Sequence, residues 1–329
     1  MNNQLKRILP TVQKPARYVG GEYKQIRKDK AQVDLRVAFC FPDTYEIGMS
    51  NVGMRILYSI MNRMQGVWCE RVFTPWGDME AAMLEQNIPL YALESGDAVA
   101  QFDMIAFTIG YEMSYTNVLN MLRMSHVPLR ASERTGLKSI VFAGGACMYN
   151  PEPLVDFIDF FTIGEGEELA QEVLLLYREA KNADWSKERY LAEVSKIEGV
   201  YVPSLYTHSY NEDGTLAAIT PADGAPKQVK KRIIENLDDA YFPTDMIVPN
   251  TEIVHDRANL EVMRGCIRGC RFCQAGFCYR PTRPRSPQVL LQQAKGLLES
   301  SGCHEVTLSS LSTSDYPRLE ELTSGLLDY

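Results

Sequence analysis

No apolar run in the 329-residue sequence approaches the roughly 18–20 residues that cross a bilayer. Its start carries scattered Lys and Arg without the apolar core of a signal peptide. Both absences predict a cytoplasmic protein with no membrane partner. An excess of positive charge is missing too: 34 Lys and Arg against 42 Asp and Glu leave a formal net charge of -8. That balance excludes a surface that embraces nucleic acid all round, because phosphates are neutralised by clustered cations; a local basic channel stays open. Histidine is scarce, with four in the chain, and His126, His208, His255 and His304 lie in connecting segments or just before strands, in no ligand pattern. There is no internal repeat, no low-complexity tract and no second C-x2-C pair of the kind that completes a zinc knuckle.

What is present is a globular composition, 45% hydrophobic, long enough for two domains of ordinary size. Residues 1–34 read as a basic arm packed on the body, with Lys24, Arg27, Lys28 and Lys30 as solvated charges. Over 35–180 short β runs alternate with helical runs: strands at 36–41, 103–108, 139–143 and 157–163, helices at 52–64, 115–124 and 167–180. That rhythm predicts an α/β fold, a Rossmann-like doubly wound parallel sheet. Residues 181–257 form a connector with a small β element around 200–210, broken by Pro221, Pro226, Pro243 and Pro249. A new α/β unit opens at 258, with strands at 259–263 and 305–308 and helices at 287–300 and 318–327.

Four of the eight cysteines, Cys266, Cys270, Cys273 and Cys278, fall within thirteen residues, whereas Cys40, Cys69, Cys147 and Cys303 stand singly. In a reducing compartment such a cluster suggests metal. Cys266, Cys270 and Cys273 are spaced C-x3-C-x2-C with Phe272 before the last. Three thiolates anchor three irons of a cubane and leave the fourth open to an outside ligand. A structural zinc site and a closed cluster with Cys278 as fourth ligand are the alternatives. Gly265, Gly269 and Gly276 suit a loop wrapped closely on a cluster, or ordinary turns. Arg280, Arg283 and Arg285 follow, as anion-steering groups or as a solvated rim.

The loop resembles the signature of the radical S-adenosylmethionine superfamily, C-x3-C-x-aromatic-C, at each defining position. The resemblance implies a 4Fe-4S cluster on Cys266, Cys270 and Cys273, Phe272 in the cofactor loop, and S-adenosylmethionine cleaved to a 5′-deoxyadenosyl radical. It also implies an electron donor such as a flavodoxin or ferredoxin. Ser309 and Ser310 stand near the strand end that in the superfamily contacts the amino group of S-adenosylmethionine, or they cap the following helix. About six strand-helix units make such a barrel, so residues 258–329 read as its first units only, a partial (β/α) barrel and a truncated or fragmentary chain.

Upstream, the loops Pro42 to Gly48, Gly110 to Thr116, Gly144-Gly145 and Gly164-Glu165-Gly166-Glu167 all fall at carboxyl ends of predicted strands, where open α/β sheets bind ligands. Their order resembles the cobalamin-binding domain found ahead of many radical S-adenosylmethionine cores. The implied cobalamin residues are Asp43, Tyr45, Gly48, Gly144, Gly145, Gly164, Glu165 and Gly166. Tyr45 stands where histidine-on proteins carry the axial base, so cobalamin here would lack a protein nitrogen, with Tyr45 covering the corrin. A sheet that only shapes the barrel entrance is the alternative. The whole pattern is similar to a bacterial family of cobalamin-domain radical enzymes, in which methyl, methylthio or rearrangement chemistry all stay open. The rival function is an iron-sulfur electron carrier or sensor without turnover.

Overall fold

The computed structural model describes residues 3–328. Its centre is a six-stranded sheet built from β1 (Leu35–Phe41), β2 (Val67–Phe73), β3 (Met104–Thr108), β4 (Ile140–Gly144), β5 (Phe160–Thr162) and β6 (Val200–Tyr201), in the order β2-β1-β3-β4-β5-β6. The first five strands are parallel, and β6 closes the edge antiparallel to β5. The order 2-1-3-4-5 is the flavodoxin-like variant of the doubly wound fold, with its switch point between β1 and β3. Strands buried on both faces need near-continuous apolar runs, which β1, β3 and β4 supply.

Between residues 65 and 102 the sequence reading missed β2 and the helix Gly77–Glu85 that follows it. β2 carries Glu70 and Arg71 yet is buried throughout, because Arg36 pairs with Glu70 while Glu22 and Glu94 clamp Arg71. Strand β6, expected in the connector, belongs to the main sheet. The connector's β element is a hairpin of β7 (Tyr206–Tyr210) and β8 (Leu216–Pro221), of which only β7 was predicted. The arm does pack on the body, but not as a solvated basic segment. Leu5, Ile8, Leu9, Val12 and Tyr18 enter the core, Lys28 donates to the Asn62 and Val67 carbonyls, and Lys24 pairs with Asp245.

The last unit holds β9 (Ala258–Glu261), the short pair β10 (Met263–Arg264) and β11 (Arg283–Pro284), and β12 (Val306–Ser309) parallel to β9. Helix Pro287–Ser301 makes the crossover, started by the Ser286 hydroxyl accepting from the Val289 N–H with Pro287 in the first turn, and stopped at Gly302 with φ 72°. Its core takes in Ile56 and Ile60 from helix Val52–Arg63, whose Met54 and Met61 pack in the sheet core. That shared helix fixes the final unit against the sheet.

Candidate active site

The cysteine loop, residues 265–282, hangs from the β10–β11 pair. Gly265 and Gly269 adopt left-handed φ of 81° and 63°; a Cβ on Gly265 would lie 2.7 Å from the Pro281 carbonyl oxygen. Cys266 and Cys273 are half-buried, Cys270 is exposed, and none is in a disulfide. The Cys273 N–H donates to the Cys270 carbonyl at 3.0 Å, the turn that keeps these two close along the chain. Among the described residues no three His, Cys, Asp or Glu side chains are gathered as a metal-holding group. The donor set nonetheless suits an iron-sulfur cluster: three free thiols on one turn-rich loop, two of them beside the Arg268 guanidinium, which Asp315 holds. Phe272 points outward, 92% exposed.

Between the carboxyl ends of β3, β4 and β5 and the root of this loop lies a cavity of about 550 Å³. It brings together Gly144, Gly145, Gly164, Glu165 and Gly166 from the sheet with Ser309, Ser310, Gly265 and Cys278 from the last unit. Parts of both predicted half-sites therefore share one space, while Cys266, Cys270 and Cys273 are not among its lining residues. Asp43, Tyr45 and Gly48 do not line it. Tyr45 is 2% exposed, packs edge-on against Phe73 and donates its hydroxyl to Glu22 at 3.1 Å, so it is core and covers nothing in the cavity. Gly48 is required by packing, since a Cβ there would sit 2.7 Å from Phe73 Cδ1. Asp43 accepts from the Tyr111 hydroxyl across the switch point, a bond that pushes the Tyr111 phenol up to about 12.

The glycines were expected to let a cofactor approach, and the structure gives several of them a second reason. At Gly145, φ is 108° and a Cβ would meet the Ile109 backbone nitrogen at 2.8 Å; at Gly164, φ is 107° and it would meet the Arg232 nitrogen at 2.6 Å. Gly144 faces Thr162 Oγ1 at 2.5 Å. These are crossings of one chain segment over another. Gly110 lines the same cavity but differs in that its Cβ position is open space.

Glu165 is not a free cofactor contact. It accepts from Arg283 through both oxygens at 2.7 Å and from the Ile234 N–H at 2.6 Å, and lies 3.4 Å from Arg264. Arg264 also meets Glu167 at 2.5 Å and Glu261 at 2.8 Å, while Arg285 meets Glu261 at 3.2 Å. Arg283 and Arg285 are thus buried ion-pair members, neither anion-steering groups nor a solvated rim. Burial opposes the charge on Arg264, but Glu261 and Glu167 outweigh it and hold the guanidinium protonated. Burial likewise pushes the Glu165 and Glu261 carboxyls up, yet the arginines outweigh it and both end below the usual range. Sequence reasoning missed the pairing of Arg264 with Glu167 because the two lie 97 positions apart, whereas Glu261 reaches Arg264 and Arg285 over 3 and 24 positions. Ser310 shares a hydrogen bond of 3.0 Å with Thr313, which leaves its other bonding positions for the cavity.

A flavodoxin-like sheet thus meets, at one cavity, the root of a three-cysteine loop carried by a βαβ unit. Residues 53–203 match the family model for the N-terminal part of radical SAM proteins, SAM being S-adenosylmethionine, and residues 260–329 match that of the radical SAM superfamily. The chain belongs to the radical SAM superfamily. It is 26% identical over 294 residues to "Uncharacterized protein MJ0966" of Methanocaldococcus jannaschii, covering 89% of this chain and 52% of that protein. Over 96 residues, 29% of this chain and 19% of the relative, it is 30% identical to threonylcarbamoyladenosine tRNA methylthiotransferase MtaB of Bacillus subtilis. Two structures of the radical S-adenosylmethionine methyltransferase TsrM from Kitasatospora setae superpose with TM-scores of 0.52 and 0.53 at 12% identity, over 89% of this chain and 50% of theirs. One holds tryptophan and aza-SAM, the other cobalamin and a [4Fe-4S] cluster. That likeness is one of fold. The chain spans about half the length of the archaeal relative and of the TsrM chains. No helix among the described residues is long and apolar enough to cross a membrane.

Proposed function

We propose that this chain carries the S-adenosylmethionine site of a radical enzyme, with a 4Fe-4S cluster on Cys266, Cys270 and Cys273 and a corrinoid in the adjoining cavity, for methyl or related group transfer. The observation that supports this most is the single cavity joining Gly144, Gly145 and Gly164 of the sheet to Ser309 and Ser310 at the carboxyl end of β12. When bound, the reduced cluster supplies the one electron that splits the sulfonium into methionine and a 5′-deoxyadenosyl radical, which takes a hydrogen atom from substrate. The three thiolates anchor three irons and leave the fourth for the amino acid part of S-adenosylmethionine. Ser309 and Ser310 offer hydroxyls beside it, while Gly110 and the glycine loops leave room for a flat ligand against the sheet edge. The names of TsrM and MtaB, a methyltransferase and a methylthiotransferase, support group transfer as the reaction class. An external flavodoxin or ferredoxin would supply the electron. Anaerobic reconstitution tests the ligand set: the wild type takes up about four irons, and Cys266→Ala, Cys270→Ala and Cys273→Ala each abolish the cluster while Cys278→Ala retains it. Normal iron in Cys270→Ala overturns the assignment.

A further inference from the structure

The cysteine loop leaves the last unit at Arg264 and returns at Arg283, which face each other in the β10–β11 register. Both arginines are held by one short piece of the sheet domain, the turn after β5 together with the first turn of helix Gly166–Asn182. Glu165 takes Arg283 through two bonds of 2.7 Å, and Glu167 takes Arg264 at 2.5 Å. The side chains of Arg264, Glu165, Glu167 and Arg283 are each about a tenth exposed, so solvent does little to screen these pairs. The same turn contributes Gly164 and Gly166 to the cavity. One element therefore touches the ligand space on one side and grips both legs of the cysteine loop on the other.

We propose that Glu165 and Glu167 are positioning residues for the cysteine loop, so that the sheet domain sets the pose of Cys266 and Cys273 and a ligand seated against Gly164 and Gly166 is felt at those thiols. This rests on reading these cysteines as cluster ligands, but its test needs no iron. A guanidinium presents five donors in a fixed fork, and Arg264 spreads them over three carboxylates, so losing one charge unbalances the grip without emptying the core. Neighbouring Glu168 pairs with Arg232, which keeps Glu172 as a second partner, and serves as the control.

The experiment is time-resolved alkylation of the full, reduced, metal-free chain with iodoacetamide, read peptide by peptide by mass spectrometry. Glu167→Gln is expected to speed the alkylation of Cys266 and Cys273 several-fold, while Cys40 and Cys69, buried in β1 and β2, keep their wild-type rates and Glu168→Gln changes nothing. Arg264→Lys, which keeps the charge and loses the fork, is expected to do the same as Glu167→Gln. Unchanged rates at Cys266 and Cys273 overturn the proposal. So does a parallel rise at Cys40 and Cys69, which marks general loosening instead of release of one loop. Failure of the protein to take up iron would sink the proposed function and leave this result standing.

Discussion

Two glycines at the same sheet edge should respond to substitution in opposite ways. At Gly145 the backbone is left-handed, φ 108°, and a new Cβ would press on the Ile109 backbone, with its nitrogen 2.8 Å away. Holding a residue with a side chain in that conformation costs about 1–3 kcal/mol before any clash, and with backbone as the neighbour relief is not cheap, so Gly145→Ala should lose about 3 kcal/mol. At about 2.1 cal/mol/K per residue, 329 residues unfold with about 0.7 kcal/mol/K, so Tm should fall by about 4 °C. Gly110 has no atom within 4 Å of its Cβ position and lines the cavity. Gly110→Trp should therefore leave stability within about 0.5 kcal/mol while placing an indole in the ligand space. Thermal unfolding followed by circular dichroism gives the first quantity, and equilibrium dialysis with hydroxocobalamin gives the second. A Gly145→Ala protein as stable as wild type would refute the crossing geometry. Wild-type binding by Gly110→Trp would refute the cavity as the corrinoid site.

Acid should loosen the contact between the last unit and the sheet first. The Glu165 and Glu261 carboxyls lie below their usual range, so the stability they contribute is present above about pH 4.3 and lost as pH falls through their depressed values. Hydrogen exchange across residues 259–285 should then rise below pH 4 ahead of β1 and β3, and uniform loss of protection would contradict this. Removing the charge at Arg71→Met leaves Glu22 and Glu94 facing each other in the core, with an expected loss of about 3–5 kcal/mol in urea unfolding. A loss below about 1 kcal/mol would mean that these carboxylates are not held by Arg71.

The strands read most easily were those whose own residues carry the signal. β1, β3 and β4 are short apolar runs bounded by turns, helices Val52–Arg63, Tyr115–Met124 and Pro287–Ser301 show helical spacing, and Asn51 and Ser286 cap the first and last of them. The sequence Val67 to Phe73 hides an edge strand of the sheet because Glu70 and Arg71 interrupt it, and their neutralising partners lie up to 49 positions away. Strand β8 was missed because it is exposed along nearly its whole length and has no apolar face to reveal a period. In the site, the cysteine spacing is local chemistry and was legible. The Arg264, Arg283 and Glu165 network was not, since the Arg283 and Glu165 pair spans 118 positions. Tyr45 was misplaced for the same reason: its hydroxyl partner, Glu22, comes from the N-terminal arm.

The proposed cluster has one open iron and lies beside the shared cavity. Its most direct test is electron paramagnetic resonance of the anaerobically reconstituted, dithionite-reduced protein, recorded with and without S-adenosylmethionine. The account predicts a 4Fe-4S signal whose g-values shift on addition of S-adenosylmethionine in the wild type, and no signal in Cys270→Ala. A spectrum that S-adenosylmethionine leaves unchanged would mean a closed cluster, an electron carrier or sensor in place of a radical enzyme.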